Sequence, residues 1–355
     1  MRPGLTLGVE EEFLLVDGDG RLAAAGPEIS ALVDDDGGQV EHELRRCQVE
    51  SATDVCETID EVVTGLRDLR DRLAAEAAAQ GLRLLPSGTA PMADDRPPRF
   101  TPDARYHRMA REFGAIAQAS LTCACHVHVA IPDAATGLRI SNHLRPWLPV
   151  LLALSANSPF HNGDDTAYAS WRQPLWTRWP SAGPPPHFDS VDAYEARVEG
   201  LLSAGAALDR AMLYWDIRLS AHQPTVEVRI ADALPTPEEA ALLAAVIRGL
   251  AAQALDDEPV AQPTPEVLRG RLWRSARDGL AGCCVHPRTG ALVPAWQVVD
   301  DLVTSVRPWL GADTEFVEDS LTRLRATGNG AQRQRAAFDR AGRMADVLEE
   351  LAWPT

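Results

Sequence analysis

Glu10, Glu11 and Glu12 stand in a row inside GVEEEFLLVD, residues 8–17, a stretch whose other members suit a hydrophobic strand. Side chains alternate along a strand, so Val9, Glu11, Phe13 and Leu15 share one side while Gly8, Glu10 and Glu12 share the other. Two carboxylates converging on one face repel each other unless a cation or a proton lies between them. Glu10 and Glu12 are therefore candidate metal ligands, the bland alternative being glutamates that face water on an exposed sheet. Glu11 is left among apolar neighbours.

A second stretch, CACHVHVAI at 123–131, resembles a zinc site at first glance, with two cysteines and two histidines. The period of two rejects that reading: Cys123 and Cys125 fall with Val127 and Val129, His126 and His128 on the opposite face, and no strand brings all four to one tetrahedral centre. A His-x-His pair remains, on a face otherwise made small by Ala124 and Ala130, with room for a ligand. In PTVEVRIAD, 224–232, Val226, Val228 and Ile230 form an apolar face and Thr225, Glu227 and Arg229 a polar one. RCQVESATDVC, 46–56, sets Gln48 and Glu50 together against Val49. Any one of these strands is compatible with a solvated polar side. Four together predict a sheet with one face under helices and the other lined by Glu10, Glu12, Glu50, His126, His128, Glu227 and Arg229. Such an oxygen-rich set suits Mg²⁺ or Mn²⁺ and a phosphate-bearing ligand better than Zn²⁺.

The elements that must position these groups follow from periodicity and punctuation. Strands are expected at 5–17, 40–52, 121–131 and 225–231; helices at 57–80, with Gly81 to end it, and at 103–119, 137–156, 191–214 and 330–351. The segment 158–188 has no period and is rich in Pro, Trp and Gly, which marks a functional loop or lid. Helices dominate the second half, so the fold class is α+β and not a doubly wound parallel sheet. The whole chain, 1–355, reads as one domain with no long linker or repeat.

Composition narrows the function classes. A net charge of −17 argues against nucleic acid and anionic membranes as partners. The chain has no lysine, so all 34 Lys and Arg are arginine, which removes Schiff-base lysines and a P-loop. No uncharged apolar stretch of about 18 residues and no signal-like N-terminus are present, so the cytoplasm is the expected location and small molecules the expected partners. The six cysteines form no disulfide pattern; Cys283 and Cys284 carry no assigned chemistry.

GVEEEFLLVD, QVESATDVC, CHVHVAI, LSANSPFHNGDDTAYASWR with PSAGPPPHF, VEVRIAD and LWRSARDGL, in this order, resemble the successive blocks of the type 2 glutamate-cysteine ligases, the bacterial carboxylate-amine ligases. The resemblance implies a glutamine-synthetase-like fold, a saddle-shaped antiparallel sheet with helices on one face and ATP and divalent metal on the other. It also implies ATP-dependent amide formation, often weak, through an acyl phosphate, typically from glutamate and cysteine. Carried over block by block, it implies that Glu10, Glu12 and Glu50 ligate metal, that His126 and His128 bind the cofactor near metal or substrate, and that Arg229 faces the phosphates as a catalytic group, with Glu227 beside it. Arg172 is the candidate for a substrate carboxylate. The chain departs from the pattern at His161, where many relatives carry tryptophan, and at Ala167, where glycine is common; both bear on substrate identity. Two rivals use the same groups: a metal-dependent amidohydrolase, and a non-catalytic nucleotide or amino-acid sensor. The oligomeric state, a homo-oligomer included, is open.

Overall fold

A computed structural model describes residues 5–34, 37–92, 99–256 and 262–354. In chain order the elements are β1 (Leu7–Val16), α1 (Gly26–Ser30), β2 (Gly38–His42), β3 (Gln48–Thr53), α2 (Ile59–Ala79), β4 (Arg83–Leu85), α3 (Ala104–Phe113), α4 (Ala115–Ala119), β5 (Ala124–Ala130), α5 (Ala134–Leu144), α6 (Leu148–Ser155), β6 (Phe160–His161), β7 (Asp164–Asp165) and α7 (Arg172–Trp176). There follow α8 (Val191–Ser203), β8 (Ile217–Leu219), β9 (Thr225–Asp232), α9 (Pro237–Asp256), α10 (Pro265–Asp278), β10 (Cys283–Val285), β11 (Leu292–Pro294), α11 (Ala295–Leu310), α12 (Thr314–Thr327), α13 (Gly330–Ala341) and α14 (Met344–Leu351).

The main sheet runs β2-β3-β1-β5-β9-β8, with β4 also on β1, and its pairings are antiparallel. This is the α+β architecture expected from the interleaved strands and the helical second half. Its register brings the predicted polar residues side by side: Glu12 opposite Glu50, Glu10 opposite His126, and His128 opposite Glu227. Val9, Cys125, Val127, Val226 and Val228 point the other way, into a core shared with α2, α5, α6 and α9. α9 is buried on almost every side because its AALLAAVIRGLAAQAL run is apolar all round. Helices α10, α11 and α12 add core residues of their own to the same cluster.

Several boundaries differ from the periodicity reading, and each break has a local cause. The 40–52 strand is two antiparallel strands, β2 and β3, separated by Glu43–Cys47. The 103–119 helix breaks at Gly114, whose φ of +50° departs from helical backbone. The 137–156 helix begins at Ala134, where Asp133 caps it, and is interrupted at Arg145–Trp147 around Pro146, which has no amide hydrogen to donate. The 191–214 helix ends at Ser203, the strand expected from 121 begins at Ala124, and the last helix divides at Gly342. The irregular 158–188 segment holds a two-residue hairpin and the short helix α7. The helix expected at 57–80 stands as α2, opened by a capping box between Thr58 and Glu61.

Candidate active site

Glu11, the odd member of the glutamate row, lies on the core face with no exposed surface, and its partner comes from α2. Arg70, equally buried, grips it with two hydrogen bonds of 2.8 and 2.5 Å and donates two more protons to the carbonyls of Leu234 and Pro235. A buried charge is tolerable only when paired in this way. The row thus divides: Glu11 bolts β1 to α2 and to the chain just beyond β9, while Glu10 and Glu12 face outward.

Outward they meet a cavity of about 460 Å³. Its floor is the polar face of the sheet, with Glu10, Glu12, Glu50, His126, His128, Glu227 and Arg229. Its walls come from elsewhere: Glu41 of β2 and Glu43 of the β2–β3 turn, Arg105 and Tyr106 of α3, Trp176 of α7, and Trp179, Tyr214 and Arg218. Phe113, Trp176, Trp179 and Tyr214 pack in a chain of edge-to-face and tilted contacts, with ring centroids 4.6–5.4 Å apart, along that wall.

Glu10 is hydrogen-bonded to His126 Nδ1 at 3.0 Å and lies at ion-pair distance, 3.0 Å, from His128 Nε2. Thr225 Oγ1 bonds the other nitrogen of His128 at 2.8 Å, and so orients the ring. Glu12 accepts the Ala124 amide at 2.8 Å and lies 3.9 Å from His126 Nε2. Arg218 grips Glu227 at 2.8 and 3.1 Å, and Arg229 is paired with the same carboxylate while its guanidinium also approaches His126 Nδ1 at 3.5 Å. One carboxylate between two guanidiniums leaves a net positive charge beside the acidic cluster.

Burial pushes the Glu12 carboxyl up to about 8, with Glu43 adding to it and Arg172 and Arg229 opposing. Burial also drives Glu50 well above the usual range, reinforced by Glu43, Glu10 and Glu12. Glu10 is subject to the same burial, but hydrogen bonds from His126 and His128 outweigh it and hold its carboxyl well below the ordinary value. Burial and the charge of Arg229 lower His126 to about 4, whereas Glu10 overcomes burial at His128 and raises it.

Among the described residues, three overlapping groups have ligand atoms within 4.8 Å of one another: Glu10, Glu50 and His126; Glu10, His128 and Glu227; and Glu12, Glu43 and Glu50. Carboxylates crowded so closely that two of them, Glu12 and Glu50, are raised above the usual carboxylate range are a good cradle for a divalent cation. Their oxygen donors fit Mg²⁺ or Mn²⁺. Glu43, Arg105, Arg218 and the aromatic wall were not among the sequence-derived candidates. Glu43 lies in a turn, Arg105 and the aromatic wall on helices and loops, and Arg218 on the three-residue β8, too short to show a period; only the acid-rich EHE run around residue 42 hints at Glu43.

Arg172 is not where the sequence reading put it. It is 1% exposed, does not line the cavity, and spends its guanidinium on the carbonyls of Arg229 and Ile230. A role as the substrate-carboxylate ligand is withdrawn. Trp273 and Arg274 of α10 likewise lie away from the cavity, with Trp273 bonded to Tyr168. Ala167, where glycine was expected, adopts φ +61°, the left-handed backbone that glycine enters without a steric penalty. Cys284 is buried beside Ser275 and Cys283 is half-buried in the same short strand, both away from the cavity.

The class that this fold and site define is the ATP-dependent carboxylate-amine ligase. The family model described as glutamate-cysteine ligase family 2 (GCS2) matches residues 6–350, and the chain belongs to that family. A Rhodococcus jostii protein provisionally named glutamate–cysteine ligase 2-1 is 52% identical over 352 residues, 98% of this chain and 95% of that one. A Saccharopolyspora erythraea protein of the same provisional name is 48% identical over 98% of this chain and 94% of its own. Among solved structures, glutamate–cysteine ligase from Francisella tularensis in complex with AMP superimposes with a TM-score of 0.69 at 12% identity, covering 99% of this chain and 88% of that one. The bifunctional glutathione synthetase of Pasteurella multocida gives 0.68 at 15% identity, covering 97% of this chain and 51% of its own. At those identities the likeness is one of fold. None of the described helices is long and apolar enough to cross a membrane.

Proposed function

We propose that the protein joins the side-chain carboxylate of glutamate to the amine of a small molecule, cysteine foremost, by converting ATP to ADP and phosphate in the cytoplasm. The observation that carries this reading is the convergence of Glu10, Glu12, Glu43 and Glu50 with Arg229 around one cavity, in a chain of this family. Glu10, Glu12, Glu43 and Glu50 would hold Mg²⁺ or Mn²⁺, which supplies charge screening for the polyphosphate oxygens. Arg229 turns its guanidinium to the transferring phosphoryl group, held there by Glu227. His126, neutral at physiological pH, and His128, on the same floor, line the nucleotide side. Phosphoryl transfer depends mainly on such positioning and electrostatics.

In the first step an oxygen of the acceptor carboxylate attacks the γ-phosphorus, the bond to ADP breaks, and an acyl phosphate forms. In the second the amine nitrogen attacks the acyl carbon, phosphate departs with the bonding pair, and the nitrogen loses a proton. Trp176, Trp179 and Tyr214 keep water from the acyl phosphate, which it would hydrolyse.

The test is ADP and phosphate release from Mg-ATP with glutamate and a panel of amines that includes cysteine. Release that needs both partners supports the ligase. Amide hydrolysis without ATP would replace it by the amidohydrolase, and tight nucleotide binding with no turnover for any pair would replace it by a sensor.

A further inference from the structure

β9 is bulged beside the cavity. Its pairing with β5 runs Val228 with Val127 and then Ala231 with Cys125, so that Arg229 and Ile230 together oppose His126 alone. Strict alternation from Val226 and Val228 puts Asp232 on the core face; the extra residue instead turns Ala231 into the core and frees Asp232 for the other side. Bulges re-aim side chains in this way and leave backbone groups outside the ladder.

Those groups have specific partners. The Arg229 amide donates to the Asp216 carbonyl at 2.9 Å. The Arg229 and Ile230 carbonyls both accept from one guanidinium, that of Arg172, at 3.1 and 3.3 Å. Arg172 is itself held through its amide, which donates to Ser158 Oγ at 3.1 Å. Ser158 Oγ, Ser170 Oγ and the Asn157 amide then donate to the Asp232 carboxylate at 2.6, 2.7 and 2.8 Å. Trp176, in the same short helix as Arg172, has its ring 5.5 Å from the Arg172 guanidinium carbon and 5.8 Å from that of Arg229.

We propose that Arg172 is the positioning residue of the site: by spanning the two bulge carbonyls it fixes the backbone of Arg229 and aims that guanidinium into the cavity. The proposal rests on the reading of Arg229 as the cation that faces the phosphoryl group. The physical reason is twofold. Buried carbonyls need donors, and a planar fork with five fixed N–H groups sets the relative orientation of two consecutive carbonyls, which the single ammonium of lysine does not. The proposal gives the irregular 158–188 segment a task that its lack of period concealed: it reaches under β9 and holds the bulge open.

Arg172→Lys and Arg172→Met, in the full chain, test it through crystal structures of both variants, melting curves and steady-state kinetics. The Arg229 guanidinium is expected to shift in both, with kcat down roughly 10²-fold and KM for Mg-ATP and the carboxylate substrate changed by no more than about three-fold. The lysine variant is expected to melt near the wild type, so its lost turnover is not unfolding; if the methionine variant does not fold, the lysine variant carries the test. Two results overturn the proposal. One is wild-type kcat with Arg229 in place. The other is a raised KM for the carboxylate with kcat kept and Arg229 unmoved, which would return Arg172 to substrate binding. A wild type inactive toward glutamate and every amine sinks the proposed function, while the position of Arg229 in the variant structures still decides the role of Arg172.

Discussion

Glu12 and Glu50 face each other across β1 and β3 with Glu43 beside them, and burial raises both carboxyls. That arrangement separates what Glu12 does for the fold from what it does for the chemistry. The fold uses one of its oxygens, which accepts the Ala124 amide, and the amide oxygen of glutamine accepts that bond equally well. Glu12→Gln is therefore expected to melt at or above the wild-type temperature at neutral pH, since glutamine takes up no proton on folding, while ADP formation falls on the order of 10²- to 10³-fold, the scale for losing one electrostatic contact to a developing charge. A variant with full turnover would remove Glu12 from the site.

At the scale of elements, the polar face of the sheet depends on bolts on the opposite face. Arg70 joins α2 to Glu11 of β1 and to the carbonyls of Leu234 and Pro235 just past β9. It therefore ties β1, which carries Glu10 and Glu12, to the end of β9, which carries Glu227 and Arg229, across the intervening β5. Arg70→Met leaves Glu11 buried and uncompensated and is expected to cost about 3–5 kcal/mol in urea unfolding. The double variant with Glu11→Leu is expected to recover much of that loss, because no lone charge remains in the core. A loss below about 1 kcal/mol for Arg70→Met would show that water reaches Glu11.

The molecule as a whole couples its stability to pH through the carboxylate cluster. Glu12 titrates near 8 in the folded protein against an ordinary value of 4.5, so the folded state holds a proton that the unfolded chain has released. The stability this contributes is complete below about 4.5 and is lost progressively as pH rises to about 8; Glu50, also raised, extends the loss in the same direction. A divalent cation held by these carboxylates, as proposed, would take the place of those protons, and its binding would release them. The gain in melting temperature from Mg²⁺ over EDTA is expected to widen as pH rises from 6 to 9. A gain that is flat across that range would place the cation elsewhere.

The sequence by itself determined which residues stand on the polar face of each strand. Glu10, Glu12, Glu50, His126, His128, Glu227 and Arg229 all line one cavity because a period of two is a property of the extended backbone and needs no tertiary partner. It also separated Cys123 and Cys125 from the histidines, and it isolated Glu11, though not the arginine that neutralises it. The tertiary structure alone decided the rest. Arg70 is 59 residues from Glu11 and meets it only when α2 packs under β1. Glu43, Arg105 and the tryptophan wall come from turns and short helices that carry no period. The role of Arg172 was misread because an arginine in an irregular Trp- and Pro-rich loop looks like a surface ligand. Its burial follows from a bulge in β9, and a bulge is a mismatch between two strands that neither strand encodes alone.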